Sequence, residues 1–141
     1  MTILLVRHAR AGERKAWEGD DRLRPLDERG RRQAEGLVDL LRGHRPSRVL
    51  SSGYVRCRES VEPLARTLGL TVEEREELAE GASAEEVLSL ASTLAEDVVV
   101  LCTHGDVVVE LLGEESKKGS SWVLRLEGDT LARVEYLPPP A

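Results

Sequence analysis

Arginine and histidine residues follow three apolar runs of the sequence. Arg7 and His8 end the first run, Arg56 follows the second, and His104 directly follows the third. Arginine carries planar, permanently charged donors that suit phosphate, and a neutral imidazole nitrogen is a competent nucleophile. A single Arg-His pair at the end of a strand could simply be exposed to solvent without a function. Three apolar runs that are each followed by arginine or histidine are harder to explain by solvent exposure alone. Together these residue types indicate phosphoryl transfer.

The three apolar runs predict the strands that position these side chains. They cover residues 4–6, 49–51 and 98–103. Short continuous apolar runs are typical of strands buried on both faces of a parallel sheet. Because ligands of open α/β sheets bind outside the carboxyl ends of the strands, we expect the arginines and histidines to converge on one edge.

Helical periodicity between the apolar runs predicts an α/β fold. One helix is expected over 28–42, with Asp27 as its N-cap, and another over 54–68, where Pro63 should cause a kink or a restart. The remaining predicted elements are a short strand over 70–73, a helix after the Ser83–Glu86 capping box, a helix over 107–112 capped by Asp106, and a terminal hairpin of 122–126 and 131–137. This alternation predicts a single-domain three-layer α/β/α sandwich with a mostly parallel sheet and helices on both faces.

Composition limits the classes of function. The 141 residues fit one domain, predicted over 1–137, and the proline-rich end, 138–141, is predicted to be a disordered tail. A net charge of −6 argues against nucleic-acid and membrane partners, so any anion site must be local. The charged segment 10–24 is predicted to be a loop. Lys117 and Lys118 are expected to be solvated, with substrate contact as the alternative.

Cysteine and histidine spacing favours a cytoplasmic protein without a metal or another cofactor. Cys57 and Cys102 lie far apart and form no CxxC pair, so a disulfide is not expected. The three histidines, His8, His44 and His104, lack metal-ligand spacing. The unpaired cysteines favour a reducing cytosol, and no signal peptide or membrane span is visible.

The sequence resembles the histidine phosphatase superfamily, also called the phosphoglycerate mutase-like family. Three segments carry the resemblance: Arg7-His8-Ala9, Arg56 after Ser51-Ser52, and Thr103-His104-Gly105. The short length and the segment Arg24-Pro25-Leu26 resemble the small phosphohistidine phosphatase branch, which is called SixA-like. The resemblance therefore implies a phosphoglycerate mutase-like fold.

The resemblance also implies roles for individual residues. His8 would be the nucleophile, forming a phosphohistidine intermediate, while Arg7 and Arg56 clamp the phosphoryl group and His104 donates a hydrogen bond to it. Glu80 would be the proton donor, with Glu77 as the fallback and a solvated acidic loop as the alternative. Substrate binding would rest on Arg7, Arg56, His104 and Arg24.

The predicted function is that of a metal-independent phosphatase acting on protein phosphohistidine. One alternative is a phosphatase of small phosphate monoesters such as sugar or nucleotide phosphates. A mutase is disfavoured because the segment between Glu80 and His104 is short. A catalytically inactive phosphate- or phosphoprotein-binding module is the alternative of another class. The predicted partner is a phosphorylated substrate, and the oligomeric state is left open.

Overall fold

The computed structural model of the protein describes residues 1–140 and contains six strands and four α-helices. The strands are β1 (Thr2–Arg7), β2 (Arg48–Ser51), β3 (Val72–Glu74), β4 (Val98–Thr103), β5 (Ser121–Glu127) and β6 (Thr130–Leu137). The α-helices are α1 (Glu28–Leu41), α2 (Val55–Leu68), α3 (Ala84–Ser92) and α4 (Gly105–Leu112).

All six strands form one sheet in the order β3-β2-β4-β1-β5-β6. The pairs β1–β4, β2–β4 and β2–β3 are parallel, while β1–β5 and β5–β6 are antiparallel. The predicted parallel sheet with a terminal antiparallel hairpin is confirmed. In the register of the central pair Arg7 lies opposite Thr103, so β1 and β4 end level with each other.

The sheet has a hydrophobic layer on each face. Leu4 and Val6 of β1 pack in the same cluster as residues of α1 and α2, whereas Ile3 and Leu5 pack with residues of α3 and α4. Successive side chains of a strand point to opposite faces, so the apolar centre of β1 serves both layers. The predicted three-layer α/β/α arrangement is confirmed.

The restart predicted as one alternative at Pro63 and the cap predicted at Asp106 do not occur. The helix α2 is continuous through Pro63 and does not restart there. Proline removes only one backbone donor, and Val61 and Leu64, both fully buried, hold the helix on the sheet on either side of it. Asp106 does not cap α4, because His104 occupies the N-cap position; the Asp106 carboxylate instead accepts a hydrogen bond from the Gly81 amide at 2.8 Å.

Close packing holds the loop after β1 against α1 and α2. The Ala9 amide donates to Ser60 Oγ at 2.8 Å, and the Arg10 amide donates to Gln33 Oε1 at 3.0 Å. A Cβ at Gly30 would lie 1.8 Å from the Arg10 carbonyl oxygen, so only glycine permits this approach. The loop itself contains two short 3₁₀ helices, Arg14–Ala16 and Asp21–Leu23.

The chain end lies beside α1. β6 ends at Leu137, and Pro140 packs near Gly36. The predicted tail also includes Ala141, which lies outside the described residues. Within residues 1–140, no helix combines the length and the apolar character needed to cross a membrane.

Candidate active site

The carboxyl ends of β1, β2 and β4 bring the two predicted histidines together. His8 follows β1 and His104 follows β4, and their rings meet edge to face with centroids 5.4 Å apart. Arg56 lies in the first turn of α2 and is completely buried. The parallel order β2-β4-β1 is the reason, because it places these three strand ends side by side.

His8 is a neutral imidazole in which Nδ1 bonds to the backbone and Nε2 does not. Its Nδ1 lies 2.8 Å from the Ala9 carbonyl oxygen, so Nδ1 carries the proton and donates it there. The unprotonated Nε2 then keeps its lone pair. The pKa of His8 is lowered to about 3, mainly by burial; the Ala9 hydrogen bond opposes this shift, and the nearby positive charges of Arg56 and Arg7 add to it. His8 is therefore an available nucleophile at neutral pH.

His104 is oriented by Ser52, which follows β2. The Ser52 Oγ lies 2.9 Å from His104 Nε2 and accepts a hydrogen bond from the Tyr54 amide at 3.2 Å. The Ser52 hydroxyl can donate its proton to Nε2, and in that tautomer of His104 the ring proton lies on Nδ1.

Three buried nitrogen atoms of the predicted site residues have no hydrogen-bond partner among residues 1–140. They are Nε of Arg7, Nε of Arg56 and Nδ1 of His104. Leaving a buried donor unpaired costs about 1–3 kcal/mol, and more for a charged group. Three such donors beside His8 are therefore the property expected of an anion site.

The other nitrogen atoms of Arg56 are held by acidic side chains. Arg56 Nη2 donates to Glu80 Oε2 at 2.8 Å and to Asp21 Oδ2 at 3.1 Å, and Nη1 donates to the Asp21 carbonyl oxygen at 2.9 Å. Glu80 Oε2 also lies 3.8 Å from His104 Nδ1, and both Glu80 oxygens accept from Arg14 Nη2 at 3.1 Å. Glu80 thus lies among the site residues. Glu77, the alternative proton donor, forms no ion pair with another described residue.

Arg7 reaches the site past the start of α4. Its Nη1 donates to the Ser116 carbonyl oxygen, and a Cβ at position 105 would lie 2.6 Å from its Cζ. Gly105 is therefore required for the path of this side chain. Burial lowers the pKa of Arg7, and the charges of Glu115 and Asp106 oppose that effect. The guanidinium nevertheless stays protonated.

Arg24 lies near the site, but its side chain donates hydrogen bonds to the loop after β1. It is 7% exposed, its Nε donates to Asp21 Oδ1 at 3.0 Å, and its Nη1 donates to the Ala11 carbonyl oxygen at 2.8 Å. Arg24 lines the same cavity as His8. Most of its donors hold the loop and the carboxylate that pairs with Arg56, so its place in the structure is that of a support for the site.

Sequence reasoning did not identify Ser52, Asp21 and Arg14 as parts of the site. Ser52 was named only in the Ser51-Ser52 segment before Arg56, with no role of its own, and Asp21 and Arg14 belong to a charged loop without periodicity. The unusual length of that loop was the available signal, because long loops in small domains are often functional. The partner of each side chain became visible only in the folded chain.

Comparison with known proteins identifies the family. The sequence model of the histidine phosphatase superfamily (branch 1) matches residues 3–85, a segment that contains Arg7, His8 and Arg56. The chain therefore belongs to the histidine phosphatase superfamily. It is also 38% identical over 156 residues to the 8-oxo-(d)GTP phosphatase of Mycolicibacterium smegmatis. That match covers 99% of this chain but 48% of the relative, so the chain spans about half the length of that protein.

Solved structures agree with this assignment. A protein assigned as the phosphohistidine phosphatase SixA of Agrobacterium tumefaciens is 26% identical, with a TM-score of 0.77 and 98% of both chains covered. The protein histidine phosphatase SixA complexed with tungstate is 22% identical, with a TM-score of 0.81 over 99% of this chain and 97% of the other. A mycobacterial glucosyl-3-phosphoglycerate phosphatase complexed with VO3 is 16% identical, with a TM-score of 0.82 over 97% and 99%. The last two likenesses establish a shared fold.

Proposed function

We propose that the protein is a metal-independent phosphatase that forms a phosphohistidine intermediate on His8 and acts on protein phosphohistidine, as a SixA-like enzyme. The observation that carries the proposal is the combination of a neutral His8 with three buried, unpaired donors beside it. An uncharged imidazole supplies the electron pair. The donors of Arg7, Arg56 and His104 supply the charge and hydrogen bonds that a phosphoryl group needs.

The reaction has two steps. In the first, the lone pair of His8 Nε2 attacks phosphorus, the N–P bond forms, and the bond from phosphorus to the leaving group breaks. The Nδ1–H of His8 remains bonded to the Ala9 carbonyl oxygen and stabilises the positive ring. In the second step water attacks phosphorus, the P–N bond breaks, and phosphate leaves with His8 neutral again. In both steps the arginine donors form hydrogen bonds with the phosphoryl oxygens.

Glu80 is proposed as the proton donor for leaving groups that need a proton. Its carboxylate lies between Arg56 and Arg14 and 3.8 Å from His104 Nδ1, at the edge of the phosphoryl site. An alkoxide requires a proton in the transition state, whereas phosphohistidine can release a neutral imidazole whose other nitrogen already carries its proton. Glu80 is therefore needed for alkyl phosphates and not for phosphohistidine.

The likeness to a SixA-assigned structure at 26% identity, with the two chains of nearly equal extent, supports the phosphohistidine substrate. A second candidate is the hydrolysis of a nucleotide phosphate, because the relative at 38% identity is an 8-oxo-(d)GTP phosphatase. The two candidates use the same nucleophile. They differ in the group that leaves and in what lies around the mouth of the site.

The test is a substrate comparison in EDTA. Purified protein is assayed with a phosphohistidine peptide, 4-nitrophenyl phosphate, and sugar and nucleotide monophosphates. We expect phosphohistidine to give the highest kcat/KM, and acid-labile label from a ³²P-labelled substrate to be trapped on the protein. Highest activity with a nucleotide phosphate would favour the second candidate. Activity that EDTA abolishes and a divalent ion restores would contradict a metal-independent reaction.

The nucleophile is tested with His8→Ala, using His44→Ala as the matched control. His44 lies in the 3₁₀ helix after α1. We expect His8→Ala to lose turnover and label trapping while keeping its melting temperature within a few degrees, and His44→Ala to match the wild type. Label trapped on folded His8→Ala would remove His8 from this role.

A further inference from the structure

A cavity beside His8 is lined mainly by positive side chains, and apart from Arg7 the proposed reaction does not use them. Its volume is about 490 Å³. We call it the basic pocket; its lining is Arg7, His8, Gly12, Glu13, Arg14, Lys15, Arg24 and Lys118. Five of these eight residues carry a positive charge and one, Glu13, carries a negative charge. This concentration is unusual for a chain whose net charge is −6, and it indicates a local anion site.

The two lysines of the basic pocket are free to bind a ligand. Arg14 and Arg24 are paired with Glu80 and Asp21. Among residues 1–140, no carboxylate forms an ion pair with Lys15 or Lys118. The pKa of Lys118 is lowered, first by burial and then by the charges of nearby arginines, among them Arg7, so cations crowd this ammonium group. A bound anion would relieve that repulsion.

The opposite side of Arg7 has the reverse charge. A second cavity of about 490 Å³ is lined by Arg7, Gly105, Asp106, Val109, Glu110 and Glu115. Three carboxylates there repel an anionic group. Arg7 thus separates an acidic side from the basic pocket, and a substrate with more than one negative group fits only with the additional group toward Lys118.

We infer that the basic pocket binds a second phosphoryl group, joined to the transferred one through a bridging oxygen, so that organic diphosphates are substrates of this site. This inference rests on the proposed function and extends it from one phosphoryl group to two. The terminal phosphorus is attacked by His8 Nε2, and its bond to the bridging oxygen breaks. The electron pair goes to that oxygen, which leaves as part of a monophosphate, and water then releases orthophosphate from His8.

Electrostatics favour this leaving group. Negative charge grows on the bridging oxygen and its phosphorus as the bond breaks, and Lys118 and Arg14 are positive groups lining the volume that this phosphate occupies. A preorganised cation at a point where charge develops lowers the barrier. The departing monophosphate is stable as an anion, so Glu80 need not donate a proton to it.

An apolar recess next to the basic pocket accommodates the organic part of the substrate. The recess has a volume of about 230 Å³ and shares Gly12, Glu13 and Arg24 with the basic pocket; its other lining residues are Ala11, Ala16, Trp17, Pro25, Leu26 and Asp27. The Trp17 side chain is one of the few large apolar groups that remain exposed. Indole faces stack on nucleobases, so a nucleoside diphosphate is the organic diphosphate that fits both cavities.

The catalytic test compares ADP with AMP in EDTA. We expect wild-type kcat/KM to be at least tenfold higher for ADP, and Lys118→Ala and Lys15→Ala each to lower the ADP-to-AMP ratio by about tenfold, the size of one charge-assisted hydrogen bond. Lys117→Ala is the matched control, because it removes the same charge from the neighbouring residue, which does not line the pocket. Arg14 is left intact since it also pairs with Glu80.

The binding test does not depend on turnover. Calorimetry measures the affinity of wild type and Lys118→Ala for orthophosphate and for imidodiphosphate, whose P–N–P link resists hydrolysis. We expect imidodiphosphate to bind wild type at least tenfold more tightly than orthophosphate, and Lys118→Ala to remove most of that difference.

The outcomes separate this inference from the proposed function. Turnover of 4-nitrophenyl phosphate with labelled His8, but without preference for ADP or imidodiphosphate, would overturn the second phosphoryl site alone. The same loss in Lys117→Ala as in Lys118→Ala would also overturn it, because general charge would then explain the effect. Tight imidodiphosphate binding that requires Lys118, without label on His8, would support the pocket and contradict the proposed nucleophile.

Discussion

Replacing Gly105 with alanine should disable the site while leaving the fold intact. The new Cβ would lie 2.6 Å from Arg7 Cζ and 2.8 Å from its Nε and Nη2. Carbon atoms in contact are normally about 3.5–4.0 Å apart, so the guanidinium must move by about 1 Å. A misplacement of about 1 Å can cost about 10²-fold in rate, and we expect kcat/KM to fall by about that factor.

Stability should change little in the same variant. The displaced atoms are the end of a flexible side chain, and Gly105 lies in helix α4 without a positive φ angle. Replacing glycine with alanine at a compatible backbone conformation also restricts the unfolded chain, which stabilises the fold by about 0.4–1 kcal/mol and offsets the cost of moving Arg7. We therefore expect the unfolding free energy to stay within about 1 kcal/mol of the wild type.

The assay is kcat/KM for 4-nitrophenyl phosphate in EDTA, together with urea denaturation of the same preparations. Gly43→Ala is the control, because a Cβ there meets no atom within 4 Å and Gly43 lies in the 3₁₀ helix after α1. If folded Gly105→Ala keeps kcat/KM within about threefold of wild type, either the position of Arg7 is not critical or Arg7 does not clamp the phosphoryl group.

Three further predictions concern His8, Glu80 and Gly30. Because the pKa of His8 is lowered to about 3 in the native protein, only the unfolded chain binds a proton there between about pH 3 and 6.5, so the unfolding free energy should fall as the pH falls, by up to ~1.4 kcal/mol per unit. Urea titrations at pH 7 and 5 should show a smaller loss for His8→Asn, and an equal loss would contradict the shift. Glu80→Gln should lower kcat/KM for an alkyl phosphate by about 10²–10⁴-fold and spare 4-nitrophenyl phosphate and phosphohistidine, whereas equal loss on all three would indicate a positioning role. Gly30→Ala should lower the unfolding free energy by about 1–3 kcal/mol in urea titration, because its Cβ would lie 1.8 Å from the rigid carbonyl oxygen of Arg10, and an unchanged value would show that the loop moves freely.

Local sequence patterns were sufficient to predict most of the fold. A short apolar run such as 98–103 favours a strand buried on both faces, and this local rule predicted β1, β2 and β4. The periodicity of α1 and the cap at Asp27, whose carboxylate accepts from the Gly30 amide at 2.7 Å, are likewise set by neighbours in the chain. The restart at Pro63 and the cap at Asp106 are absent for the converse reason, because packing against the sheet and a hydrogen bond to Gly81 outweighed the local preference.

The sequence by itself determined which residues could carry out the chemistry. Arg7, His8 and His104 stand at or directly after apolar runs, and the ends of neighbouring parallel strands meet at one edge whatever the details of packing. Only the tertiary structure decided how those groups are held and what surrounds them. The bond from Ser52 to His104, the pairing of Asp21 with Arg56 and the basic pocket with Lys118 join residues far apart in the chain. Such contacts depend on where loops without periodicity come to rest, and that position follows from the packing of the whole domain rather than from any local pattern.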